Sequence, residues 1–240
     1  MKSRKPKRNN NIVNIQEKIP APRKRKKTSV SIIPRNTAQE NYLIHLEDTD
    51  NKIILATGPA GTGKTIIGVS YAIQQLMADT ITKIVLTRPA IGADGEKHGF
   101  LPGDLNQKME PWLLPILDVF NEYYSKDEVK NMIEEGIIEV APIAYLRGRT
   151  FHNSIIIADE FQNTTESQAK CVMTRIGEGS RLIITGDLNQ SDLYKANGLR
   201  DITDKVRRFG STMIAICEFG RDHVERSAIV SEVLRLYGDD

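Results

Sequence analysis

Cysteine is nearly absent: Cys171 and Cys217 are the only two in 240 residues, they lie far apart, and each has apolar neighbours. That count excludes a disulfide-stapled scaffold, and neither residue has the His, Asp or further Cys partners, at ligand spacing, that a metal site or a catalytic thiolate needs. Both are expected to be buried thiols in a reducing cytoplasm. Long apolar runs are missing as well. No stretch approaches the roughly 20 residues needed to cross a bilayer, and the basic N-terminus lacks the hydrophobic segment of a signal peptide. Neither a membrane partner nor a leader is expected, and the chain has no internal repeat.

The remaining composition, 40% hydrophobic and 27% charged, is ordinary for a globular protein. The length suits one well-cored domain with extensions. Charge is distributed unevenly. Residues 1–27 carry eleven Lys or Arg against Glu17 alone, a net +10, so the overall +2 leaves −8 on the rest. A basic arm over residues 1–28, rich in Pro and Asn, is not expected to fold by itself, and residues 29–240 form the domain. The arm's cluster PRKRKK at 22–27 is suited to nucleic-acid phosphates, the alternative being a solubilising tail.

Residues 52–70, KIILATGPAGTGKTIIGVS, dominate the chemistry. They contain G-x-x-x-x-G-K-T between an apolar β-branched run and a second apolar run, which predicts strand, tight loop and helix. Phosphate oxygens must be ringed by backbone N–H groups. Gly58, Gly61 and Gly63 let main chain approach and permit positive φ, Pro59 restrains the loop, and Ala60 and Thr62 complete it. The following helix points its unpaired N–H groups at the same anion. Lys64 is placed to reach the β- and γ-phosphates and Thr65 to give its hydroxyl to magnesium.

Taken in order, Asn36 or Thr37 caps a helix with Glu40 close behind, running to about Leu46. On it, Gln39 has an amide able to donate to and accept from adenine. A helix over 64–78 leads to a strand at 83–89. Residues 90–104 are glycine-rich and read as a long surface loop. Helical spacing interrupted by Pro111 and Pro115 covers 105–124, and a short helix follows at 126–135, so that about 90–135 reads as a loop and helical insertion. Further strands are expected at 137–143, 154–160, 181–187 and 212–219, with helices at 166–176 and 223–237. Strands that alternate with helices predict an α/β, doubly wound, mostly parallel sheet. SIIIADE, at 154–160, is fully apolar until it ends in two acids at the strand's carboxyl end, where such sheets bind ligands. Asp159 is placed to hold the magnesium through water, Glu160 to polarise an attacking water, and Gln190 to sense the γ-phosphate.

Assembled, these blocks resemble the PhoH family, whose core is like the ATPase domain of superfamily 1 helicases. GPAGTGKT, TRPA (87–90), GEKHGFLPGD (95–104), YLRGRTF (145–151), DEFQNTT (159–165) and TRIGEGSRLIITGD followed by Gln190 carry the resemblance, over about 34–236. The resemblance implies a phosphate-loop NTPase fold of the RecA or helicase type that hydrolyses ATP with magnesium and is coupled, in some relatives, to RNA. It casts Gln39 as the adenine reader and Gln190 as the γ-phosphate sensor. Phe161 stands where the family has alanine, Glu166 where proline is common, and ERSAIV (225–230) where an arginine-histidine-proline block is usual. These 240 residues hold no match to the ribonuclease domain of some relatives, so RNA cleavage by this chain alone is not expected.

The expected activity is therefore magnesium-dependent ATP hydrolysis coupled to RNA or single-stranded DNA. A developing phosphoryl charge also wants a guanidinium, which helicases take from a second core domain. With one such domain, the chain is expected to form a homo-oligomer, a ring such as a hexamer, with Arg175 or Arg226, or less directly Arg88 or Arg149, entering a neighbour's site. A small-molecule phosphotransferase with 90–125 as its lid, and an ATP-gated binding module without useful hydrolysis, are the alternative readings.

Overall fold

The computed structural model describes residues 29–89, 105–190, 197–225 and 228–237. The basic arm, the glycine-rich loop at 90–104 and Arg226 lie outside the described residues.

Six strands form one all-parallel sheet: β1 (Ile53–Thr57), β2 (Lys83–Thr87), β3 (Ile138–Val140), β4 (Ser154–Ala158), β5 (Arg181–Gly186) and β6 (Ile214–Glu218), in the spatial order β3-β2-β4-β5-β1-β6. The chain leaves β1 for β2, two places beyond its neighbour, and β4 and β5 later fill the gap. That reversal puts the end of β1 beside the end of β5, the crevice where open parallel sheets bind ligands.

The strands are apolar on both faces because both are covered. With period two, Ile54, Ala56, Ile84, Leu86, Ile155, Ile157 and Ile183 enter one core, while Ile53, Leu55, Val85, Ile156, Ala158, Leu182 and Ile184 enter the other. Against the first face pack α1 (Thr37–Glu47), α2 (Lys64–Met77), α3 (Leu105–Asn121) and α4 (Lys126–Glu134), contributing Tyr42, Leu46, Ile73 and Phe120. Against the second pack α5 (Ile143–Leu146), α6 (Glu166–Met173) and α7 (Gly198–Phe209), with Leu146, Val172 and Leu199. The C-terminal α8 (Ala228–Tyr237) follows a short turn at Arg221–His223, so the helix expected over 223–237 begins later.

Three further expectations change. Helix α3 runs uninterrupted through Pro111 and Pro115. Leu113, Ile116 and Phe120 face the core while Pro115 lies on the exposed side of the helix. The strand expected at 137–143 is shortened to β3 and gives way to α5. Helix α7 stands where no helix was expected. It buries Gly198, Leu199 and Thr203 and is otherwise largely charged, which hides its apolar stripe.

One cation secures the amino-terminal edge of the sheet, at the opposite end of the strands from the phosphate loop. Arg181, opening β5, donates to the carbonyls of Leu46, His45, Asp48 and Asn51 and, at 2.7 Å, to the Tyr71 hydroxyl. It thereby closes the C-terminal carbonyls of α1 and holds the entry to β1.

Candidate nucleotide-phosphate site

The loop between β1 and α2 is built by three left-handed glycines. Gly58, Gly61 and Gly63 have φ of 144°, 81° and 85°. Helix α2 begins at Gly63 without a side-chain cap, so its first N–H groups face the cleft rather than a neighbouring side chain. A Cβ on Gly58 would lie 2.3 Å from the Phe219 carbonyl oxygen, so the strand end can lie against the segment after β6 only as glycine.

Both sides of the loop are held. Gln39 is 4% exposed; its Nε2 donates to the Thr62 carbonyl at 3.1 Å and its Oε1 accepts from the Arg35 N–H at 2.9 Å. Asn36 caps α1 by accepting from the Gln39 N–H, as its position suggested. On the other side the Glu225 N–H donates to the Gly61 carbonyl at 3.0 Å. Sequence reasoning cast Gln39 as a base reader. In the structure its amide braces the phosphate loop, and it also lines the cleft.

Lys64 folds back over the loop, donating to the carbonyls of Gly58 (2.7 Å) and Pro59 (2.6 Å) and to the Thr62 hydroxyl (3.1 Å). Burial lowers its pKa, and Asp187, Asp159 and Glu160 oppose that shift. A phosphate entering the loop offers this ammonium stronger, charged acceptors than the carbonyls it now caps.

At the cleft floor the Thr65 hydroxyl donates to Asp159 Oδ1 at 3.0 Å, and the Thr185 hydroxyl donates to the same oxygen at 2.5 Å. Thr185, at the end of β5, escaped sequence analysis because nothing in its local pattern distinguishes a site hydroxyl from a strand threonine. Glu160 follows in a left-handed conformation, φ 53°, that few non-glycine residues adopt. Its Oε1 lies 3.0 Å from Arg88 Nη2 and its Oε2 accepts from Gln162 Nε2 at 2.6 Å.

A cleft of about 830 Å³ joins these groups. Its lining includes Gln39, Ala60, Gly61, Gly63, Lys64, Thr65, Asp159, Glu160 and Gln190, and it extends to Ile33 on one side and Tyr123 on the other. Gln190 is carried by a turn in which its N–H donates to the Asp187 carbonyl at 3.2 Å. Two predicted arginines stand apart. Arg175 spends its guanidinium on the carbonyls of Cys171 and Arg149 and on the Thr174 hydroxyl, and Arg149 is paired with Glu139 and stacked 4.7 Å from the Phe151 ring. Neither lines the cleft, whereas Arg88 reaches it through Glu160.

The donor set fits magnesium. Thr65 and Asp159 offer hard oxygens, and among the described residues no group of three or more His, Cys, Asp or Glu could cage a metal alone. Magnesium typically takes one or two protein oxygens and completes its shell with phosphate and water. Among its described lining residues the cleft has five carboxylates against Arg35 and Lys64, so a polyphosphate enters with less repulsion when a divalent cation accompanies it.

The sequence is similar to those of known proteins. The family model described as PhoH-like protein matches residues 31–238. PhoH-like proteins from Synechocystis and Bacillus subtilis are each 41% identical over 201 and 209 residues, covering 83% and 86% of this chain and 60% and 64% of theirs. Protein PhoH of Escherichia coli is 38% identical over 216 residues, 86% of this chain and 58% of its own. The chain thus spans about three fifths of these relatives' length. Among solved structures, a Sulfolobus solfataricus SWI2/SNF2 ATPase core in complex with dsDNA aligns with 79% of this chain and 45% of its own at 14% identity and a TM-score of 0.45. Among the described residues no helix is long and apolar enough to cross a membrane. Matched by the family model over residues 31–238 and 41% identical to relatives over most of its length, the chain belongs to the PhoH-like protein family.

Proposed function

We propose that this chain binds ATP in the cleft and hydrolyses it with magnesium, and that turnover is coupled to RNA or single-stranded DNA. The observation that carries the first part is the meeting of Thr65, Asp159 and Glu160 at the open end of the phosphate loop. In this reading the loop amides and Lys64 hold the β- and γ-phosphates. Thr65 and Asp159 would hold the magnesium, which screens phosphate charge when bound. Glu160 orients and deprotonates water, and Gln190 contacts the γ-phosphate. Gln39 serves the base side of the cleft while bracing Thr62.

Coupling to a polymer is supported by the +10 charge of residues 1–27. The transition-state guanidinium is supplied by Arg175 or Arg226 of a second copy in a ring. An uncovered apolar face of α8 with Ile229, Val233 and Leu236 supports such assembly, because an exposed stripe of this kind is what a neighbouring copy covers. Mass measurement of the active species in ATP checks this, and a fully active monomer would remove it.

Phosphate release from ATP, measured with and without RNA and DNA polymers and with small acceptor molecules, tests the whole reading. Stimulation by a single-stranded polymer is expected. A rate indifferent to every polymer, with label transferred to a small acceptor, would assign the cleft to a phosphotransferase instead.

A further inference from the structure

Gln162 is only 2% exposed, yet both ends of its amide reach the cleft machinery. Nε2 donates to Glu160 Oε2 at 2.6 Å. Oε1 accepts from the Asp187 N–H at 3.1 Å, on the turn whose carbonyl receives the Gln190 N–H. The fit depends on Gly186, where a Cβ would lie 2.6 Å from Gln162 Oε1 and 2.7 Å from Leu199 Cδ2. Because Arg88 engages the other carboxylate oxygen of Glu160, the acid is gripped from two sides while its backbone is held at φ 53°.

We infer that Gln162 is the positioning residue that couples the Gln190 turn to Glu160, setting the acid for the attacking water when Gln190 meets the γ-phosphate. This rests on the reading of Glu160 as the water-activating acid. One amide spans the two strand ends, so a shift of the Asp187 peptide is delivered to Glu160 through two hydrogen bonds and no intervening flexible group. An amide is the side chain that does both tasks at once. A carboxylate at 162 could accept from Asp187 but could not donate to Glu160, and an apolar isostere could do neither.

The test compares Gln162→Met, Gln162→Glu, Gln190→Ala and the Gln162→Met/Gln190→Ala double variant, with Glu160→Gln as reference. For each, ATP turnover is measured alongside ATP and ADP affinity by titration with a fluorescent nucleotide. Both Gln162 variants are expected to lose roughly 10- to 100-fold in kcat, the scale of a catalytic group held out of register, with nucleotide Kd within about threefold of wild type. Gln190→Ala should then cost much less in the Gln162→Met background than alone. Retained kcat in either volume-matched variant, or fully additive effects, would overturn the inference. Should Gln162→Met fail to fold, Gln162→Glu, which keeps the Asp187 contact, decides alone. Wild-type turnover in Glu160→Gln would instead sink the underlying assignment of the acid, a result independent of the Gln162 data.

Discussion

Gly58 illustrates how much one residue carries. It sits at φ 144°, where side chains are rarely tolerated, and a Cβ would meet backbone rather than a movable side chain. Gly58→Ala is expected to destabilise the domain by about 2–3 kcal/mol or to pull the loop away from Phe219. Thermal unfolding and nucleotide titration together read out both. Cys217 is the opposite case, a residue that does nothing chemical. Burial pushes its thiol up to about 12, so at neutral pH it stays protonated and shielded. In a labelling experiment at pH 8, Cys171, which is partly exposed, should react in the native protein and Cys217 only on unfolding. Fast modification of both would contradict the buried placement. The expectation of two buried thiols thus holds for Cys217 and is corrected for Cys171.

At the scale of elements, two polar ties fasten the sheet to its surroundings. Replacing Arg181 by Ala removes donors to four carbonyls and the Tyr71 hydroxyl at once, and a loss of about 2–4 kcal/mol in denaturant unfolding is expected. Lys should rescue poorly, since one ammonium cannot span that fan of acceptors. At the β3 edge, Glu139 is held below the usual carboxylate range, first by its hydrogen bond from Arg149 and then by Lys83, while partial burial opposes them. A depressed folded pKa contributes stability that is present above the unfolded value near 4.5 and lost as pH falls through the folded one. Glu139→Gln should therefore lie below wild type in stability at pH 7, by at most about 1 kcal/mol for so accessible a pair, and converge with it in acid. A constant gap from pH 7 to pH 3 would contradict the assignment.

Elements also show what the chain discloses in advance. The phosphate loop and the paired acids were legible because their chemistry is local: backbone N–H groups, glycine conformations and a strand end all lie within a few residues of one another. Continuous apolar runs revealed the parallel strands for the same reason. Helix α7 was hidden because its one buried stripe is narrow and its other positions are charged. Thr185, Gln162 and the bracing role of Gln39 were hidden for a different reason. Each depends on a partner more than 20 residues away, Asp159, Asp187 and Thr62 respectively; the adjacency of β4 and β5 brings the first two pairs together, and the packing of α1 beside the phosphate loop the third.

For the whole molecule, charge is divided between a basic arm and an acidic body. Removing residues 1–28 should weaken binding to single-stranded nucleic acid and flatten its dependence on salt, as expected if the arm's eleven cations neutralise phosphates, while leaving ATP affinity unchanged, because the phosphate loop at 58–65 is retained. Filter binding at several salt concentrations checks this; an unchanged salt slope would assign the arm to solubility alone. The central claim concerns the cleft itself. It is tested most directly by phosphate release from magnesium-ATP in wild type and Glu160→Gln, with ATP affinity measured on the same samples. The account predicts matched affinities and turnover reduced at least about 100-fold in the variant. Equal turnover in the two proteins would contradict it.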